Sequence, residues 1–262
     1  MLNNVLVKSI YEKRWGTMVW FLAVLFNTVL ITALFPTFKE AFGKSLNDVP
    51  ESMKAFLGDS SNYQNIAGYV DIQVVAQMVF LTIIMSVIIG SGFIAGDENN
   101  KTLQSLLTQP VSRSKIYLQK MGALIVINII VVASLAVGVY FTALILGEQI
   151  SILRVVQSNI EILGITLLFG IGAFSLGAII GKRALAGSIV GGLAFLTYMI
   201  SALAVGIDKL RQIDTISPFH YFNKPSVLQN GIDYSNLLLI IVMGLVIALI
   251  GLLIFNKRDI SN

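Results

Sequence analysis

The sequence predicts an all-α integral membrane protein, and two observations carry this prediction. Hydrophobic residues make up 56% of the 262-residue chain and charged residues only 12%, a balance far from that of soluble proteins. The apolar residues are also gathered into six long runs, each close to the roughly 20 residues that a helix needs to cross a hydrocarbon layer of about 30 Å. We expect a single transmembrane domain over residues 1–262, with spans at approximately 16–37, 72–95, 119–146, 161–181, 185–207 and 234–256.

The charges between and beside the runs predict the topology. Lys182 and Arg183 alone separate the fourth and fifth runs, so these form a helical hairpin with two cations at its tip, and six spans place both termini on one side. Basic residues concentrate on that side, which predicts cytoplasmic termini in a cell membrane. We interpret the basic excess as topology and contact with anionic lipid, and not as nucleic-acid binding. The basic residues on that side are Lys8, Lys13, Arg14, Lys101, Arg113, Lys115, Lys120, Lys182, Arg183, Lys257 and Arg258.

The first 14 residues predict an N-terminal amphipathic helix lying at the membrane interface. Its apolar residues share one helical face and its cations lie away from that face. A signal peptide is the alternative, but the following apolar run is too long and no Ala-x-Ala-like site follows it. The apolar face carries Leu2, Val5, Leu6 and Ile10, and the cations are Lys8, Lys13 and Arg14.

Polar and small residues inside the runs indicate a path or close packing. Four amides at predicted membrane depth are candidates for a weakly polar substrate path: Asn27, Gln73, Gln77 and Asn128. Glycines four residues apart favour tight helix packing, either within the chain or between protomers: Gly92 and Gly96, Gly177 and Gly181, Gly187 and Gly191. The aromatic loop at 208–233 either dips back into the outer leaflet or packs as an ordinary loop.

The chain offers no catalytic, cofactor-binding or metal-binding constellation. His220 is the only histidine, there is no cysteine, and no acidic residue is expected inside a span. This argues against intramembrane metalloproteases and proton-coupled carriers. No complete Gly-x4-Gly-Lys-Ser/Thr loop occurs, so we do not expect an enzyme, and any ATP hydrolysis would need another polypeptide.

The most informative stretch is the polar segment 96–113 between the second and third spans. Leu103, Leu106 and Leu107 recur at i, i+3 and i+4, which places them on one face of about two helical turns. Pro110 ends that helix, and Ser112 can cap the next one. The segment therefore predicts a short amphipathic helix at the membrane surface, where a partner could push on two spans.

This arrangement resembles the membrane subunit of an ABC-2 type ABC transporter. The resemblance covers the whole chain as six spans, and its most specific part lies between spans two and three. In the family, an acidic residue, Gly-Thr-Leu-Glu, an apolar pair and Pro-Val-Ser-Arg occur there. This chain has Asp97-Glu98, Thr102-Leu103-Gln-Ser-Leu106-Leu107 and Pro110-Val111-Ser112-Arg113, with Lys101 where the family usually has glycine and Gln104 where it usually has glutamate.

The resemblance implies a permease subunit of an ATP-driven exporter for an amphipathic or peptide-like substrate. The coupling residues carried over are Glu98, Thr102, Leu103, Leu106, Leu107, Pro110 and Arg113, which would meet a separate ATPase subunit that binds ATP and magnesium. The other expected partners are a second permease copy, identical or not, and membrane lipids. A nucleotide-independent carrier or channel and a membrane scaffold stay open as alternatives, and a copurifying ATPase would separate them from the permease.

Overall fold

The computed structural model describes residues 5–42, 64–100, 112–204, 206–224 and 226–258, which form helices joined by turns, with no strand in these ranges. Six helical stretches are long and apolar enough to cross a membrane, which confirms the all-α, six-span class. The α-helices are α1 (Val5–Ala33), α2 (Phe35–Phe42), α3 (Ile66–Val70), α4 (Ala76–Phe93), α5 (Ala95–Asn99), α6 (Arg113–Ile145), α7 (Ile152–Ile180), α8 (Arg183–Leu203), α9 (Asp208–Asp214), α10 (Val227–Asn230) and α11 (Tyr234–Lys257).

The first and third spans run side by side in the same direction. A Cβ added to Gly122 near the start of α6 would lie 3.0 Å from Leu6, and one added to Gly138 would lie 2.8 Å from Thr28. The start of α6 in turn touches the end of α11, where Ser114 and Asn256 exchange hydrogen bonds of 2.9 and 3.1 Å. Both described ends of the chain therefore lie at one end of the bundle, called here the termini side, and the opposite end is the far side.

Helices α4 and α7 approach each other closely at the centre of the bundle. A Cβ added to Gly90 would lie 2.4 Å from the carbonyl oxygen of Gly170, so this crossing accepts only glycine without a shift. Ser91 of α4 is flanked by Gly177 and Gly187, whose added Cβ atoms would lie 3.3 Å from its carbonyl oxygen and its hydroxyl. These two glycines serve packing within the chain.

The N-terminal segment and the first span are one helix in the structure. Helix α1 begins at Val5, within the predicted interfacial segment, and runs unbroken to Ala33. Leu6 and Ile10 pack against the core, and Ser9 and Thr17 are buried. These contacts with the bundle continue the helix through the charged region where the sequence pattern suggested a boundary.

The expectation of no acidic residue inside a span is wrong. Asp71 lies in the second candidate span, at the start of a π-helical turn that joins α3 to α4. Glu161 lies well inside α7 and is 2% exposed. Helix α7 begins at Ile152, before the predicted span, because Val155, Ser158 and Ile162 already present a buried face.

The loop between α8 and α11 folds back onto the bundle. Phe219 is buried, and its ring centroid lies 5.6 Å from that of Phe169 and 5.4 Å from that of Tyr198. At about 1.5 Å per residue, Phe169 lies roughly 17 Å from the termini-side end of α7. Since the hydrocarbon layer is about 30 Å thick, this packing favours a loop that dips into it.

Candidate functional site: a polar clamp beside residues 101–111

The predicted coupling residues lie within or beside the segment 101–111, which is outside the described residues. Thr102, Leu103, Leu106, Leu107 and Pro110 lie outside the described residues. Glu98 and Arg113 flank this segment on its two sides and are described. Around them lies a set of polar side chains, called here the clamp, whose members are Asp97, Glu98, Asn99, Arg113, Ser114, Lys120, Asn256 and Arg258.

Glu98 forms a two-pronged ion pair with Arg258. The Arg258 Nη1 donates to Glu98 Oε2 at 2.9 Å, and Nη2 donates to Oε1 at 2.5 Å. Nη1 also donates to the carbonyl oxygen of Ala178 at 3.0 Å. This parallel geometry is the strong form of an Arg–carboxylate interaction, and both side chains are about four-fifths buried, 19% and 20% exposed. It joins α5 to the ends of α7 and α11.

Gly181 makes room for this ion pair at the tip of the hairpin between α7 and α8. Its φ is +75°, in the left-handed region that favours glycine. An added Cβ would lie 2.2 Å from Arg258 Nη2 and 2.6 Å from Glu98 Oε2. With its amide oriented to satisfy its neighbours, Asn99 also donates to the Gly181 carbonyl at 3.1 Å. The hairpin tip is therefore attached directly to the residues that precede the segment 101–111.

The other side of the segment is attached to the same place. Arg113 Nη1 donates to the carbonyl oxygen of Arg258 at 2.5 Å. Ser112 caps α6 by accepting from the Lys115 backbone N–H at 3.3 Å, as predicted from the sequence. The described residues on both sides of 101–111 therefore belong to a single polar cluster at the end of α11.

Lys120 is the most deeply buried member of the clamp. Its ammonium pairs with the Asp97 carboxylate and donates to the carbonyl oxygen of Phe93 at 2.8 Å, with only 3% of the side chain exposed. A buried ammonium is tolerated only when it is paired and hydrogen-bonded in this way. The ion pair fixes α5 to α6, and the hydrogen bond to Phe93 fixes the end of α4 to α6.

Sequence reasoning treated Lys120 and Arg258 as topology charges and missed their structural roles. Their partners lie 23 and 160 residues away, so no local pattern could reveal the pairing. One signal was available in the sequence: two neighbouring acids, Asp97 and Glu98, could be paired with one cation near the end of each of two other spans.

The four candidate path residues occupy different environments. Gln77 is exposed, Gln73 and Asn27 are half-buried, and Asn128 is fully buried with its amide donating to the Leu124 carbonyl at 2.8 Å. None of them lines the three cavities described for the bundle. A shared path through these four amides stays a prediction.

A large apolar groove lies between α7, α8 and α11. Its volume is about 620 Å³, and it reaches from Ile179 and Ile250 to Pro218 in the far-side loop. Ser175 supplies its one hydroxyl, and the remaining lining is apolar or glycine. Such a groove suits a hydrocarbon chain or an apolar face. Within the described residues, no group of three or more His, Cys, Asp or Glu side chains is placed to hold a metal ion.

A second polar set, called here the loop cluster, joins the far-side loop to α8. It contains Ser201 of α8 and, in the loop, Asp214, Ser217, His220 and Lys224. Asp214 accepts from His220 Nδ1 at 2.7 Å, from Lys224 at 3.4 Å and from the Ser201 hydroxyl. Burial raises the pKa of the Asp214 carboxyl, but the hydrogen bonds from His220 and Ser201 and the charge of Lys224 outweigh this and lower its pKa overall.

The comparison with protein families identifies the chain. No curated protein matches it significantly. The sequence model described as ABC-2 family transporter protein matches residues 3–260, which confirms the resemblance seen in the motif between the second and third spans. With six candidate spans and this match over nearly its whole length, the chain belongs to the ABC-2 transporter family and is a multi-pass membrane permease of an ABC transporter.

Proposed function

We propose that this chain is the permease of an ATP-driven exporter and that a separate ATPase subunit drives it through residues 101–111. Family membership supports the partnership with an ATPase. The observation that carries the coupling role is the clamp, because it ties both sides of this segment to the ends of three spans. Thr102, Leu103, Leu106 and Leu107 would then form the surface that meets the ATPase, with Pro110 ending the helix.

The clamp supports coupling because its connections are short and charged. A displacement of residues 101–111 acts first on Asp97, Glu98 and Arg113, which are bonded to Lys120 and Arg258. Those two residues belong to α6 and to the end of α11. A push on the segment is therefore passed to the second, third and sixth spans, and these are elements that a transport cycle has to move.

The apolar groove between α7, α8 and α11 supports an amphipathic or peptide-like cargo. Its volume of about 620 Å³ is enough for part of such a molecule, and its lining gives apolar contact without a fixed charge. A second permease copy would enclose the remaining surface of the cargo. This dimer and the export direction belong to the proposal.

The decisive experiment places a charge on the proposed ATPase surface. Leu106→Asp should release the ATPase during copurification and abolish transport, because a charge buried without a partner in a protein groove costs several kcal/mol. The matched control is Ser105→Asp, which adds the same charge beside the leucine face. This variant should retain the ATPase during copurification and should still support transport. Retention of the ATPase by Leu106→Asp at the wild-type ratio, with transport intact, would show that the segment has no coupling role.

The proposed orientation places the termini side in the cytoplasm. The chain has no cysteine, so single cysteines introduced at Ser60, Ser105 and Asn262 report without background. An impermeant thiol reagent applied to intact cells should label the variant at Ser60 only. Labelling at Ser105 or Asn262, with Ser60 silent, would reverse the topology.

The isolated chain should show no specific nucleotide site, because it has no complete phosphate-cradling loop. Saturable ATP binding by the purified permease would contradict this assignment. Binding should appear only after the ATPase subunit is added.

Glu161 favours one alternative, a carrier that works without nucleotide. It is 2% exposed inside α7, and acidic residues at such positions are typical of ion-coupled carriers. The test is transport by wild type and by Glu161→Gln in vesicles with and without ATP. Transport that needs an ion gradient and Glu161 but no ATP would establish the carrier, whereas ATP-dependent transport by both proteins establishes the exporter.

A further inference from the structure

A second groove lies on the termini side, between α4 and α8. Its volume is about 360 Å³. Val87, Ile88 and Ala184 supply apolar walls. The polar part is lined by Ser91, Asn99, Arg183 and Ser188. The groove therefore combines hydrocarbon surface with a cation at the end of the membrane span.

Arg183 is exposed, and its side chain lies along the end of α4 and the start of α5. Its Nε lies 3.2 Å from the position of a Cβ added to Gly92, and its Cδ lies 4.0 Å from that of Gly96. The missing side chains of these two glycines leave space for the guanidinium and the end of the stem. The guanidinium is thus placed at the groove, with its apolar stem covering the helix surface.

The cations around this groove differ in their partners. Lys120 and Arg258 are paired with Asp97 and Glu98 in the clamp. Arg183 has no hydrogen bond or ion pair with any of the described residues, although both nearby carboxylates lie on the adjoining α5. An arginine next to apolar walls, with its neighbouring acids already engaged, has donors available for an external anion.

We propose that this groove binds an anionic phospholipid, with the phosphate on Arg183 and the first part of an acyl chain on Val87 and Ile88. Charge complementarity and the position at the end of the spans select this occupant, since basic pockets between spans at a membrane surface bind acidic headgroups. The proposal rests on the proposed function in one respect only, since the topology proposed there places this groove in the cytoplasmic leaflet. The bound lipid joins α4 to the hairpin tip beside the clamp and stabilises that junction.

The test is a thermal unfolding titration of the purified permease in detergent. Short-chain phosphatidylglycerol should raise the unfolding temperature of the wild type, because a ligand that binds only the folded state stabilises it. Arg183→Gln should weaken the apparent affinity by at least about tenfold, the loss expected for a charged hydrogen bond. Lys257→Gln removes another exposed cation at the same end, outside the groove, and should titrate like the wild type.

Further arms separate the possible outcomes. Ser188→Phe fills the groove from an exposed position and should weaken binding while Arg183 is kept. Three results would overturn the lipid site. Phosphatidylcholine could raise the unfolding temperature as much as phosphatidylglycerol does, or inorganic phosphate alone could reproduce the full rise. The third is that Arg183→Gln responds to phosphatidylglycerol like the wild type. The assay needs neither ATPase nor transport, so its failure leaves the proposed function standing.

Discussion

The clamp and the loop cluster are both built around carboxylates that are largely shielded from solvent, yet they connect the chain over very different distances. The ion pairs of the clamp join residues 23 and 160 positions apart. The bonds of Asp214 in the loop cluster join residues 6 to 13 positions apart. The clamp therefore holds separate spans together, whereas the loop cluster fixes the conformation of one loop against α8. A change in the clamp should affect the whole bundle, and a change in the loop cluster should stay local.

The largest effect is expected from Lys120→Met in the clamp. The variant removes the ammonium from the Asp97 carboxylate and the Phe93 carbonyl, at a position where the lysine side chain is only 3% exposed. Breaking a buried pair from one side costs about 3–5 kcal/mol, so we expect a loss of about 3 kcal/mol. Thermal unfolding in detergent measures it.

Two further variants test the cause of that loss. Lys115→Met removes an exposed lysine of the same helix and should change stability by less than about 0.5 kcal/mol. Adding Asp97→Asn to Lys120→Met should recover part of the loss, because the carboxylate that faced the ammonium is replaced by a neutral amide. If the double variant is no better than Lys120→Met, the ion pair is not what holds α5 to α6.

The Glu98–Arg258 pair should give a smaller loss of stability with a large loss of function. Both side chains are about one-fifth exposed, so solvent screens the pair, and Arg258→Gln should cost about 1–2 kcal/mol. ATP-driven transport should fall much more than the amount of folded protein, because the end of α11 is detached from the segment 101–111. A variant with normal transport per folded molecule would remove the clamp from the coupling route.

The contrast between the two clusters also explains what the sequence could predict. Six apolar runs are a local property of length and composition, and so the six spans were predictable. The capping role of Ser112 was equally local. The pairing of Glu98 with Arg258 was not predictable, because it depends on where the ends of α7 and α11 meet.

Buried acids were missed for a related reason. The predicted spans are apolar runs bounded by charges, so the fourth one, at approximately 161–181, begins at Glu161 and places that acid at its edge. The structure extends α7 to Ile152 because Val155 and Ser158 already pack inward. Packing with neighbouring helices, which no single-sequence pattern contains, sets the true start of this helix.

The loop cluster should give a loss of about 1 kcal/mol in Asp214→Asn, since the amide still accepts a hydrogen bond from Ser201 or His220. Hydrogen exchange should rise in residues 206–224 and stay unchanged at the clamp. The pKa of Asp214 is lowered in the folded state, so its stabilising effect is complete above the ordinary pKa of 3.8 and is lost as the pH falls below it. The difference between wild type and variant should thus vanish in acid well below that pKa.

The smallest effect is expected from the surface ion pair between Lys39 and Glu148, which are 2.9 Å apart. Their side chains are 45% and 31% exposed, so water and salt screen the attraction, and ordering two long side chains offsets what remains. Lys39→Gln should change the unfolding free energy by less than about 0.5 kcal/mol, and added salt should reduce even that difference. The pair links α2 to the turn after α6, so it crosses a long stretch of sequence as the clamp does, but without burial. If its removal destabilises the protein as much as Lys120→Met, sequence separation alone, and not buried charge, explains the strength of the clamp.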